Sequence, residues 1–311
     1  MFPTVKILSE SEILERIQQQ KNLFFKDYLL CYNSWLGGVT RQPHWMMVPM
    51  DEHWVTRGDA IFEAFRASDF EIYLLDQHMA RLKKSAQAIE LKPPMDFEDI
   101  QHLLVYLVRE AGEPEVMIRL FLTRGPGSFS VNPYDSVGAQ LYIIITRFHP
   151  LSEEKYQEGV SVGLSLRASK PSWLAQIKSC NYLPNALMRK EGVDKKFDYM
   201  LGLDPLGYLA EGATENFMMI DAEGVLTYPK PEFILQGTVM NRLCELAQVQ
   251  GMKVCSRDIH PKELFQAQGV FLIGTSFGLL PVRQFENQVL FSTCPSVLKN
   301  LMDWLQKDKK R

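Results

Sequence analysis

Residues 198–228, DYMLGLDPLGYLAEGATENFMMIDAEGVLTY, decide how the second half of this chain folds. Asp204-Pro205-Leu206-Gly207 separates DYMLGL from YLAEG, and Asp221-Ala222-Glu223-Gly224 separates FMMI from VLTY. Each tetrapeptide ends on glycine, which reaches positive φ without the penalty a Cβ imposes, so each reads as a hairpin turn between antiparallel strands. A strand-rich lobe follows. Helices interrupt it over about Thr238–Gln248 and Pro261–Gln268, and an amphipathic helix over Ser296–Gln306 closes it.

N-terminal to this stretch, residues 149–159, HPLSEEKYQEG, are polar and contain Pro and Gly, which reads as an interdomain linker. A chain of 311 residues with 46% hydrophobic content is long enough for two cores. Before the linker, strands are expected at Tyr28–Trp35, Trp45–Val48 and Ala60–Arg66, with strand character again at Ile72–Leu75. Met79, Leu82, Ala86 and Ile89 then recur at helical spacing from a cap at Asp76, and a second helix spans about Phe97–Ala111. Strands at Val116–Thr123 and Gln140–Thr146 complete a ββαα-ββ order, an α+β lobe. A short capped helix over Ser9–Gln20 reads as a packing arm. The expected organisation is an arm at 1–26, a smaller domain at 27–148, the linker at 149–159 and a larger domain at 160–311.

A formal charge of −3 with 23% charged residues gives no basic excess for a nucleic acid. The N-terminus lacks the pattern of a secretory signal, and no run approaches about 18 apolar residues, so a cytoplasmic protein without a membrane span is expected. Five scattered cysteines and six histidines without ligand spacing suggest neither disulfides nor a metal site.

Lys178 lies in PSWLAQIKSCNYLPNAL, among apolar residues and two aromatics. Desolvation lowers an ammonium pKa, and a lysine partly neutral near pH 7 is what Schiff-base chemistry requires. Glu211, in LAEGATEN, is flanked by small residues that leave its carboxylate free to face a cleft, with Glu215 as a competitor. Gly237 opens an amphipathic helix whose first amides suit an anion. The Gly274–Gly278 turn, GTSFG, offers the hydroxyls of Thr275 and Ser276 as a second candidate. Arg81 could fork onto a phosphate, and Tyr182 could hydrogen-bond a ring oxygen or lie in the core.

In order, GDAIFEAFR, LDQHMARLKKSA, IKSCNYLPNAL, LAEGATENFM, ILQGTVMNRL and FLIGTS resemble the class IV aminotransferases of pyridoxal-phosphate fold type IV, over roughly Gly58 to Val282. The family includes branched-chain and D-amino-acid aminotransferases and aminodeoxychorismate lyases. The resemblance implies pyridoxal 5′-phosphate carried by Lys178, with Arg81 on its phosphate, Glu211 on the pyridine nitrogen and Tyr182 at the phenolic oxygen. Gly237, the amides of Thr238 and Val239, and the Thr275 hydroxyl would complete the phosphate cup. The family's Gly-Ile-Thr-Arg is here Gly237-Thr238-Val239-Met240, which removes one hydroxyl at Val239.

The implied activity moves an amino group between an amino acid and a 2-oxo acid, in a homodimer. The alternatives are a lyase forming 4-aminobenzoate and pyruvate, and a non-catalytic cofactor-binding protein. IRLFLTRGPGSFSVNP and KSCNYLPNAL look most like the plant-type D-amino-acid enzymes. The bacillus-type Arg-x-His pair is missing near Phe129–Val131, as is the Gly-Gly-Arg-Gly-Tyr pattern. Arg57 and Arg124 are the candidates for the substrate carboxylate, with Phe62 and Ser276 as further substrate-side candidates.

Overall fold

The computed structural model describes residues 5–168 and 170–309; residues 1–4 of the expected arm, and 169 and 310–311 of the larger domain, lie outside the described residues. The first sheet comprises β1 (Tyr28–Asn33), β2 (Gly38–Thr40), β3 (Ala60–Ser68), β4 (Glu71–Ile72), β5 (Val116–Thr123) and β6 (Gln140–Arg147). Its order is β2-β1-β6-β5-β3-β4, with every pairing antiparallel. The helices of this half are α1 (Glu10–Gln18), α2 (His53–Arg57), α3 (Leu75–Ala88) and α4 (Phe97–Ala111).

Alternation drives this sheet. In β3, Ile61, Glu63, Phe65 and Ala67 all point inward and are buried, while the residues between them are half-buried. The inward face meets Leu82 and Ala86 of α3 and Ile100, Leu104 and Leu107 of α4 in one core. Asp76, expected as a cap, instead accepts a hydrogen bond from Gln101 of α4 at 3.0 Å. The segment Trp45–Val48 is not a strand: a 3₁₀ turn spans Pro43–Trp45, and residues 46–49 pair with nothing regular. The helix α1 forms with a capping box at Ser9 and Glu12, yet buries none of its residues within the chain.

The chain crosses to the second sheet over residues 148–159, where α5 (Glu153–Glu158) occupies part of the stretch read as linker. That sheet comprises β7 (Val160–Ala168), β8 (Tyr199–Leu203), β9 (Leu209–Gly212), β10 (Asn216–Ile220), β11 (Leu226–Tyr228), β12 (Val254–Ser256), β13 (Gly269–Gly274), β14 (Gly278–Phe285) and β15 (Gln288–Val289). Its order is β12-β11-β10-β13-β14-β7-β8-β9, with β15 on β14. Both predicted hairpins form, β8 with β9 and β10 with β11, with Gly207 and Gly224 at positive φ.

The helices of this half are α6 (Ser172–Ala175), α7 (Leu183–Lys195), α8 (Thr238–Val249) and α9 (Ser296–Lys309). A 3₁₀ turn at Pro261–Phe265 stands where a longer helix was expected. The helix α7 was not anticipated, because its buried face is Asn185, Met188 and Gly192 and carries no apolar period. One side of the sheet packs on α8 and α9 through Leu243, Leu298 and Leu301.

Leu104 is fully buried between α4 and the first sheet. Leu104→Ala should cost about 2–5 kcal/mol of stability, read as a lowered midpoint in urea unfolding. An unchanged midpoint would contradict this packing.

Candidate active site

Lys178 sits in the short segment between α6 and α7, and main-chain bonds hold it against the first sheet. Its carbonyl accepts from the Phe62 amide at 2.9 Å, and the Cys180 amide donates to the Ala60 carbonyl at 2.8 Å. Its own amide donates to the Ser85 hydroxyl at 3.3 Å. The neighbouring Ile177 is buried in the first core, so the segment belongs by packing to one sheet while its chain belongs to the other. The Lys178 amine lies 4.6 Å from the centroid of the Phe62 ring, which meets Tyr182 edge-on at 5.0 Å.

Among the described residues Lys178 makes no ion pair. Burial, and then the charge of Arg81, pull its amine down to about 8, against the opposing pull of Glu63 and Glu211. Glu211, in β9, accepts from the Leu235 amide at 2.9 Å. Burial pushes its carboxyl up to about 7, moderated by that amide and by Lys170 and Lys178. Burial raises the Tyr182 phenol as well, so it remains a hydrogen-bond donor at neutral pH.

The other end of the same cavity is the start of α8. Gly237 caps that helix, and a Cβ there would come within 2.0 Å of the Asn216 Oδ1. Asn216 in turn donates to the Leu235 carbonyl at 2.7 Å, so a glycine is needed for the backbone to pass. By helix geometry the amides of Thr238 and Val239 have no intrahelical acceptor. Val239 turns its side chain into the core beside Leu243, which leaves only its amide for the cavity. Arg81, on α3, faces this end and is held by Glu63 at 2.7 and 2.8 Å.

All eight residues predicted on the cofactor side line one cavity: Arg81, Lys178, Tyr182, Glu211, Gly237, Thr238, Val239 and Thr275. The substrate-side candidates fare differently. Arg124 is consumed by Asp59 at 2.9 and 3.1 Å and by the carbonyls of Ile89 and Glu90. Arg57 donates to carbonyls of Thr56, Phe129 and Ser130. Neither arginine lines the cavity, nor does the exposed Ser276. Phe62 borders it only through its ring beside the lysine.

Sequence reasoning missed Lys170, Asn185 and Asn216, which also line the cavity, and the buried pair Glu63 and His78. Glu215 lines it too. One of its oxygens is taken by the Thr214 amide and hydroxyl, while its Oε1 and the Oδ1 of Asn185 find no hydrogen-bond partner among the described residues.

A half-buried amine of lowered basicity, a half-buried carboxyl and an anion-suited helix start in one cavity define a site for an aldehyde-bearing, phosphorylated ligand. The family comparison agrees: this chain belongs to the amino-transferase class IV family, whose model matches residues 60–285. It is 29% identical to a chloroplastic D-amino-acid transaminase of Arabidopsis thaliana, over 98% of this chain and 82% of that one. It is 28% identical to a D-alanine aminotransferase of Bacillus licheniformis, covering 80% and 87%. Among solved structures it matches the T.th. branched-chain amino acid aminotransferase with pyridoxamine 5′-phosphate at TM-score 0.85 and 24% identity, over 91% of this chain and 95% of that one. The 4-amino-4-deoxychorismate lyase of Pseudomonas aeruginosa gives TM-score 0.78 at 24% identity, over 89% and 98%.

Only the neutral amine is a nucleophile, so acylation of Lys178 by acetic anhydride should rise with pH around a midpoint of about 8. Solvated lysines titrate near about 10.4. Peptide mass spectrometry across a pH series reads both; a Lys178 midpoint in the ordinary lysine range would contradict the electrostatics.

Proposed function

We propose that this chain is a pyridoxal 5′-phosphate-dependent aminotransferase that moves an amino group between an amino acid and a 2-oxo acid. One observation carries the reading: the amine of Lys178 shares one cavity with the Glu211 carboxyl and with a helix start faced by Arg81. The residues fit the cofactor at each of its ends. Arg81 and the amides of Thr238 and Val239 would hold the phosphate dianion, with the Thr275 hydroxyl beside them. Glu211 would hold a proton on the pyridine nitrogen, because a cation at that position draws its carboxyl down into the ionised form. Tyr182 would donate to the phenolic oxygen. Once bound, the cofactor supplies a conjugated ring that delocalises the electron pair left on a substrate α-carbon.

Lys178 would carry the cofactor, and its free amine would move a proton on and off the substrate α-carbon. Its lowered basicity suits both roles near neutral pH. The Phe62 ring lies against its Nζ and is itself met edge-on by Tyr182.

A D-amino acid is the first donor class to test, supported by the Arabidopsis and Bacillus relatives, with branched-chain amino acids next. The partition into an arm at 1–26, domains at 27–148 and 160–311 and a linker at 149–159 belongs to the same proposal. So does a homodimer: Trp35, Leu36, Phe129, Val131, Tyr134 and Val137 are exposed apolar side chains that a second copy would cover. No helix among the described residues is long and apolar enough to cross a membrane, and a cytoplasmic location is part of the proposal.

The visible spectrum of the protein with pyridoxal phosphate, followed on adding single amino acids, tests the reading. A cofactor band that is lost with one enantiomer of an amino acid and restored by a 2-oxo acid is the expected result; pyruvate release from aminodeoxychorismate alone would replace it with the lyase. Lys178→Ala should abolish turnover. Glu211→Gln should lower kcat by about 10²–10³-fold, the scale of losing one preorganised electrostatic contact, because the ring nitrogen would lose the carboxylate that keeps its proton in place. Near-normal activity in Lys178→Ala would overturn the assignment.

A further inference from the structure

Glu63, His78 and Thr238 form a chain of buried polar groups from the first sheet to the start of α8. Glu63 and His78 are completely buried and Thr238 nearly so. Glu63 takes two hydrogen bonds from Arg81, and burial, which alone would raise its carboxyl, is outweighed by that guanidinium and by His78, so it is ionised. An ionised carboxylate only accepts. The 2.8 Å contact between its Oε2 and the His78 Nδ1 therefore requires the proton to lie on Nδ1. That proton also rules out a bond from Arg81 to Nδ1, which approaches only to 3.4 Å.

A second proton on His78 would place an imidazolium beside Arg81, with one carboxylate for two cations around a fully buried ring. Burial, first of all, drives the ring to its neutral form. Its Nε2 is then bare and can only accept, and the atom it meets is the Thr238 hydroxyl at 3.1 Å. The Thr238 proton is committed to the histidine.

We propose that His78 is a positioning residue for the phosphate end of the cavity: Thr238 donates its hydroxyl to His78 and offers a bound phosphate its amide alone. The inference rests on the cofactor reading above and adds to it. Thr238 does not replace the hydroxyl missing at Val239; it fixes the first turn of α8 in register with Arg81. Arg81 reinforces the same register by donating to the Gln236 carbonyl at 3.2 Å.

A double-mutant cycle of His78→Leu and Thr238→Val tests this, with dissociation constants measured on apoprotein for pyridoxal phosphate and for pyridoxal, which lacks the phosphate. Each single change should weaken pyridoxal phosphate binding about tenfold, the scale of one buried hydrogen bond, and leave pyridoxal within about twofold. The double variant should bind no worse than the weaker single, and Thr238→Ser should restore wild-type affinity. Multiplying losses in the double variant would mean that Thr238 acts directly on the phosphate, and equal losses for both ligands would mean a merely structural role; either overturns the proposal. If His78→Leu does not fold, His78→Gln takes its place in the cycle. Wild-type protein that binds neither ligand would overturn the cofactor reading itself, an outcome distinct from wild-type binding with an additive cycle.

Discussion

An amine that must shed its proton near neutral pH can neither stand in water, which solvates its charge, nor lie against an ionised carboxylate, which stabilises it. Lys178 meets both conditions through its main chain. Its segment is bonded to Ala60 and Phe62 of β3 and to Ser85 of α3, so the side chain is fixed in the seam between the sheets without an ion pair of its own among the described residues. The carboxyls that influence it act at a distance. Glu63 is spent on Arg81 and His78, and Glu211 is steadied by the Leu235 amide.

The end of the cavity at the start of α8 obeys a different constraint. Glu63 is a fully buried carboxylate, costly unless paired, and the half-buried Arg81 supplies the pairing from α3 to the inward face of β3. Because His78 hangs on the same carboxylate and reaches Thr238, the pairing also ties α3 to the first turn of α8. Arg81 is thus a structural as well as a cavity-lining group. Its removal would leave a buried carboxylate uncompensated.

Much of this was legible in the residues themselves. The DPLG and DAEG turns marked the second-sheet hairpins because glycine at positive φ leaves a local trace. Lys178 stood out by its uncharged surroundings, and Gly237 by its place before an amphipathic helix. What lacked a local trace was missed. The segment Trp45–Val48 has strand composition, but Pro43 and Pro49 bracket it and it finds no partner among the described residues. The helix α7 buries an asparagine and a glycine, so its pattern is silent. Arg57 and Arg124 looked like free cations, whereas tertiary contacts with Asp59 and with loop carbonyls consume them. The Glu63–His78 pair did carry a signal: the alternation of Ile61, Phe65 and Ala67 puts a glutamate on an apolar face, and such a residue needs partners.

The cavity wall contains a second amine, the half-buried Lys170, 4.2 Å from the centroid of the Tyr182 ring, so which lysine carries the cofactor is the most direct question to ask. Protein loaded with pyridoxal phosphate, reduced with borohydride and mapped by peptide mass spectrometry should carry the pyridoxyl group on Lys178. The group on Lys170, or spread over surface lysines, would contradict the account.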